Sequence, residues 1–126
     1  MPGRFFVRGA EVPGYHPANH TGTTNRRLIG PETVGAKGVE IVVGTIGKGQ
    51  GAAPHAHPAI EQVCYMLEGT AVAEVGGERC ELGPGDACYF PPGAMHVFTV
   101  TSETPAKVLV IYTPPYGEDP KNVVPG

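Results

Sequence analysis

The stretch GQGAAPHAHPAIEQVCYMLEG, running from Gly49 to Gly69, decides how this chain is read. At its centre stands the His-x-His pair of His55 and His57. Side chains on a strand alternate faces with period two, so both imidazoles project from one face, within reach of a single ion. Gln62 to Leu67 follows as an apolar run closed by Glu68-Gly69, which reads as a strand and its turn. An HxH pair alone does not separate metal ligands from surface or core histidines, so its surroundings have to be read.

Upstream, Val39 to Ile46 is a β-branched run that reads as a strand. Downstream, Thr70–Val75 and Glu78–Leu82 meet across Gly76-Gly77, a two-residue pair suited to a tight hairpin. Ala87–Phe90, His96–Val100 and Lys107–Tyr112 complete the strands, separated by Gly83-Pro84-Gly85-Asp86, Pro91-Pro92-Gly93 and Ser102-Glu103-Thr104-Pro105. Six or seven short strands with no helical stretch between them predict an all-β, antiparallel sandwich or barrel. The 19 glycines and 14 prolines among 126 residues fit such turns and exclude a helical bundle. With 40% hydrophobic and 17% charged residues and a net charge of −3, the chain has enough apolar surface to fold.

The length predicts one domain, with an arm at 1–37, a core at 38–113 and a tail at 114–126. In the arm, short strands are conceivable at Phe5–Val7 and Arg26–Ile29; the Pro-rich tail is expected on the surface or mobile. No basic run marks a nucleic-acid or anionic membrane partner. Arg4 and Arg8 flank only three apolar residues and no window reaches a membrane span, so a cytoplasmic protein is expected. Cys64, Cys80 and Cys88 are odd in number and lack a CxxC, which suggests reduced structural thiols.

Gly49, five residues, His55-Ala56-His57, four residues, Gln62, six residues and Gly69 resemble the first motif of the cupin superfamily. Gly85, five residues, Pro91-Pro92-Gly93, two residues and His96 resemble its second, with Val100 in place of a terminal Asn. The resemblance covers roughly Val39 to Tyr112. It implies a small RmlC-like double-stranded β-helix, or jelly-roll barrel, holding one divalent transition metal ion (Zn, Ni, Fe, Mn or Cu). The ligands it implies are His55, His57, the second-motif His96 and the acidic position of the first motif, which falls on Gln62. Glu61 is the neighbouring carboxylate, but a one-residue shift along a strand turns a side chain to the other face. The motif register favours Gln62.

Three neutral imidazoles and a carboxamide would leave a divalent ion its full positive charge, suited to carbonyl polarisation and enolate binding. The expectation is a metal-dependent enzyme of isomerase, lyase or cyclase type on a small anionic or enolisable substrate. An Fe(II) dioxygenase at the same site and a non-catalytic small-molecule binder are the alternatives. If Gln62 faces the ion, Cys64 and Met66 line the same wall and Phe98 shares the face of His96. Tyr65 and Leu67 then point outward, where an apolar face suggests a homodimer.

Weaker signals complete the reading. The run Gly47-Lys48-Gly49-Gln50-Gly51 lacks the helix of a phosphate loop and reads as a flexible connection between strands. His16 and His20 could close over the barrel mouth as acid or base, or face water; Arg26-Arg27 could meet a carboxylate substrate, or face water.

Overall fold

The β-branched run that begins at Val39 opens the longest strand of the protein. A computed structural model describes residues 5–126; residues 1–4, with the Arg4 of the arm, lie outside the described residues. The strands are β1 (His20–Ile29), β2 (Glu40–Ala56), β3 (Glu61–Glu68), β4 (Ala71–Val75) and β5 (Glu78–Leu82). β6 (Ala87–Phe90), β7 (His96–Val100), β8 (Ala106–Thr113) and β9 (Val124–Pro125) follow, with single 3-10 turns at Gly9–Glu11 and Pro120–Asn122. Among the described residues all pairings are antiparallel, in the order β5-β4-β7-β2-β8-β3-β6, with β1 and β9 also paired to β2. The result is a nearly closed antiparallel β-barrel with almost no helix, as the turn-rich composition predicts.

β2 does more than the sequence suggests. It does not stop at Ile46 but runs on through the glycine-rich segment into the HxH pair. Residues 40–46 pair with β8 and residues 51–55 with β7, so the strand changes partner where Gly47 to Gly51 let it bend. The expected flexible connection is thus a bend inside one strand. At Gly51 the backbone has φ 147°, and a β-carbon there would stand 2.0 Å from the Phe98 carbonyl oxygen. Only glycine allows β2 and β7 to approach this closely.

Burial follows the pleat. β8 buries Ala106, Val108, Val110 and Tyr112 and turns the intervening residues outward; β3 buries Gln62, Cys64 and Met66. The apolar ones meet Val42, Ile46, Phe90, Phe98 and Val100 in one core. Gly76 and Gly77, at φ 56° and φ 89°, close the β4–β5 hairpin as their order predicts.

The arm and tail are more structured than their composition implies. The strand expected at Arg26–Ile29 begins at His20, and Phe5–Val7 forms none. The tail folds back onto the barrel: Tyr116 is buried, and β9 pairs with His55 and Ala56. Among the described residues no helix is long and apolar enough to cross a membrane. All three cysteines are free, and burial raises the Cys64 thiol to about 12.

Candidate metal centre

His55 lies at the end of β2, His57 just beyond it, and His96 opens β7 directly across from His55 in the strand register. Cross-strand partners carry their side chains on one face a few ångströms apart, so the pairing brings two imidazoles together and the HxH spacing adds the third. The ring centroids of His55 and His96 are 4.2 Å apart, those of His55 and His57 5.0 Å, and those of His57 and His96 5.5 Å. One ligand atom from each of the three lies within 4.8 Å of the other two, and all three residues are buried.

Hydrogen bonds fix which nitrogen of each ring is available. His55 Nδ1 donates to the Ala53 carbonyl at 2.7 Å, His96 Nδ1 to the Ala94 carbonyl at 3.3 Å and His57 Nδ1 to the Asn122 carbonyl at 2.8 Å. A neutral imidazole carries one N–H, so each Nε2 is left with a lone pair. The Nε2 atoms of His55 and His96 face each other at 3.0 Å, acceptor against acceptor. His57 Nε2 and Gln62 Oε1 are likewise buried with no hydrogen-bond donor among the described residues. Buried acceptors are costly when unpartnered. The three clustered imidazoles fit a cation, with Gln62 beside His57: lone pairs directed together and N–H groups anchored behind is how protein metal centres hold histidine ligands.

Electrostatics favour the ligating form. Burial, with the neighbouring His55, lowers the His96 imidazole to about 3; burial also lowers His55 and His57. The rings are therefore neutral at pH 7, as metal binding requires.

Gln62 is 8% exposed, adjoins His57 and lines the central cavity with His55 and His96. Glu61 is exposed on the opposite face of β3, where its carboxylate accepts from the Tyr89 hydroxyl at 2.8 Å. Cys64 and Phe98 line the cavity, together with Phe90, Val110 and Tyr112; Met66 is packed wholly inside the core and takes no part in that wall. The cavity volume is about 40 Å³.

The remaining polar residues of the sequence divide clearly. His20 lines the cavity, its ring 5.6 Å from that of His55, and its Nδ1 is held by the Ala18 carbonyl at 2.8 Å. His16 instead donates to the Thr23 carbonyl. Arg26 bonds the Gly9 carbonyl, and Arg27 neither faces water freely nor reaches the cavity. It is spent on the buried Glu40 carboxylate at 3.1 Å, on Glu32 and on the Tyr15 ring. Thr23 and Asn25, buried polar residues of β1 on the cavity wall, had no sequence signal, since β1 lacks apolar alternation. Nor had Tyr116, 4.6 Å from His57 ring to ring, or Asn122, which acts through a backbone carbonyl that no side-chain pattern can reveal.

Residues 42–112 match the family model described as the cupin domain. The chain is a cupin. It is 28% identical over 98 residues to the tetracenomycin polyketide synthase protein TcmJ of Streptomyces glaucescens, covering 78% of this chain. The match spans 66% of that relative's own length. The solved polyketide cyclase RemF of Streptomyces resistomycificus superposes with a TM-score of 0.74 at 26% identity, covering 86% of this cupin and 78% of RemF. KdgF of a Halomonas species gives a TM-score of 0.75 at 24% identity, over 87% and 93% of the two chains, a likeness of fold.

Proposed function

We propose that this cupin is a metal-dependent enzyme that enolises a small 1,3-dicarbonyl or related anionic substrate, in chemistry of isomerase, lyase or cyclase type. The observation that carries the reading is the donor set: three clustered imidazoles with the neutral Gln62 beside His57, and no carboxylate lining the cavity among the described residues. A divalent ion bound there (Zn, Ni, Fe, Mn or Cu) supplies Lewis acidity toward a carbonyl oxygen, undiminished by an anionic ligand. Among the described residues no Lys or Arg lines the cavity, so the substrate's negative charge has no other protein cation to meet there. His20, tethered through Nδ1, keeps Nε2 free to hydrogen-bond and orient the substrate. Phe90, Phe98 and Val110 exclude water from the reacting end. A cavity of about 40 Å³ has room for a few atoms, which suits a carbonyl head with the rest of the molecule outside. The names of TcmJ and RemF agree with this, because polyketide chains are built of 1,3-dicarbonyl units.

Elemental analysis should find about one divalent ion per chain, and the loaded protein should accelerate deuterium exchange at the central carbon of acetylacetone beyond the free ion. No uptake, or exchange no faster than with free metal, overturns the reading; consumption of oxygen with the substrate would make the protein a dioxygenase. Gln62→Glu should bind the ion more tightly and slow the exchange at least tenfold, about 1.4 kcal/mol of lost transition-state stabilisation. Unchanged turnover would count against the charge argument.

The same proposal extends to a second copy of the chain. Tyr65 and Leu67, each 39% exposed, and Tyr89, 50% exposed, share the outer face of β3 and β6 with half-buried Val63, Leu109 and Ile111 alongside. Glu61 marks one end of this patch and the Lys107–Glu68 ion pair the other, so a two-fold copy would bury the apolar centre inside a polar rim. Sedimentation at micromolar concentration should give a dimer and Tyr65→Asp a monomer; a wild-type monomer refutes the pairing.

A further inference from the structure

The three imidazoles are not anchored alike. His55 and His96 each bond a carbonyl two residues earlier, so the local backbone of each sets its ring. His57 is anchored by Asn122, 65 residues away in the C-terminal segment. That segment is pinned at three places. The Gly117 N–H donates to the buried Glu40 carboxylate at 2.8 Å, which Arg27 holds from the other side. The Asn122 carbonyl receives His57 Nδ1, and the Tyr116 ring packs on the same imidazole. At the far end β9 pairs with His55 and Ala56, and the Gly126 N–H reaches the Pro54 carbonyl at 2.8 Å. Between the pins Asp119 caps a single 3-10 turn, its carboxylate accepting from the Lys121 N–H at 3.0 Å and its carbonyl from the Asn122 N–H at 2.9 Å. That turn presents the Asn122 carbonyl to the ring.

We infer that the segment from Tyr116 to Gly126 is a strap that positions His57, so that docking of the strap and binding of the ion are thermodynamically coupled. The inference rests on the metal-centre reading and adds to it a control element outside the barrel. The physical reason is a tautomer. With the strap docked, the His57 proton is committed to Nδ1 and the Nε2 lone pair joins the other two. With the strap lifted, His57 Nδ1 loses its acceptor and the ring is free to turn or to move its proton to Nε2, which removes a ligand. Coupling is reciprocal, so an ion that needs Nε2 must also hold the strap down.

Two measurements test this, with Co²⁺ as the probe because its visible absorption reports both binding and ligand geometry. In the full chain, hydrogen exchange at the amides of Gly117, Lys121, Asn122 and Gly126 should slow on adding Co²⁺; identical exchange with and without bound Co²⁺ overturns the coupling. A chain ending at Glu118 should bind Co²⁺ about 10- to 100-fold more weakly, with an altered spectrum, the range lost when partners behind a ligand are removed. Asp119→Ala should weaken binding by a smaller factor, with Asp119→Asn restoring it. Equal affinity in the full and shortened chains sinks the strap alone. Absence of Co²⁺ binding to the full chain sinks the metal centre and the strap together.

Discussion

His96→Ala is expected to abolish metal uptake, taking the ion content after dialysis from about one per chain to near zero. His96 is one of three converging Nε2 donors and stands 3.0 Å from His55 Nε2, so its loss leaves two imidazoles where three are needed to define the point. The barrel should persist, because His96 opens β7 and its backbone pairing does not depend on the ring. The clearest readout is linkage: an ion at a thousand times its dissociation constant stabilises the native state by about 4 kcal/mol. Wild-type melting should therefore rise with added Zn²⁺ while the variant's stays put. His20→Ala is the control. It should keep its ion and lose about tenfold in kcat/KM, the value of one hydrogen bond to substrate. A His96→Ala protein that still carries one ion per chain would remove the basis for the centre.

The second large effect is on stability. Gly51→Ala places a methyl 2.0 Å from the Phe98 carbonyl oxygen and 3.0 Å from its carbon, both backbone atoms that cannot step aside without parting β2 from β7. The expected cost is about 4 kcal/mol or more, a large part of a typical domain's margin of roughly 5–15 kcal/mol. Gly76→Ala provides the contrast. Its φ is 56° and nothing lies within 4 Å of the added carbon. The cost there is backbone strain alone, on the order of 1 kcal/mol. Melting curves of the two variants should differ widely. If they coincide, the close approach of the two strands is not holding the barrel together.

The three clustered histidines could be read from the chain because their spacing is short-range: His55 lies at the end of β2 and His57 follows two residues on, with the third in a motif of fixed spacing. The choice of Gln62 over Glu61 as the inward residue was legible for the same reason, since parity on β3 decides which side chain turns in. What escaped were features that rest on distant partners. β1 reads as irregular because its inward residues, Thr23 and Asn25, are polar and face a polar site, so the apolar alternation that betrays a strand is missing. The glycines at 47 to 51 read as a loop because nothing local shows that both halves of β2 find partners, one on β8 and one on β7. Arg27 reads as a surface charge, yet Glu40, thirteen residues on, is buried and claims it. The tail reads as surface-bound or mobile because, apart from the Tyr116 ring, its anchors are backbone groups.

β2 carries His55 and leads directly into His57, and it is also the most fully paired strand, flanked along its length by β1, β8, β7 and β9. Opening it requires breaking ladders on both edges at once, whereas β5 and β6 each have a partner on one side only. As the protein is pushed toward unfolding, the rim strands should fray while β2 and its His55 stay in place. His55, paired on both sides, would then be among the last native features to disappear, whereas His57 would loosen with the strap that anchors it.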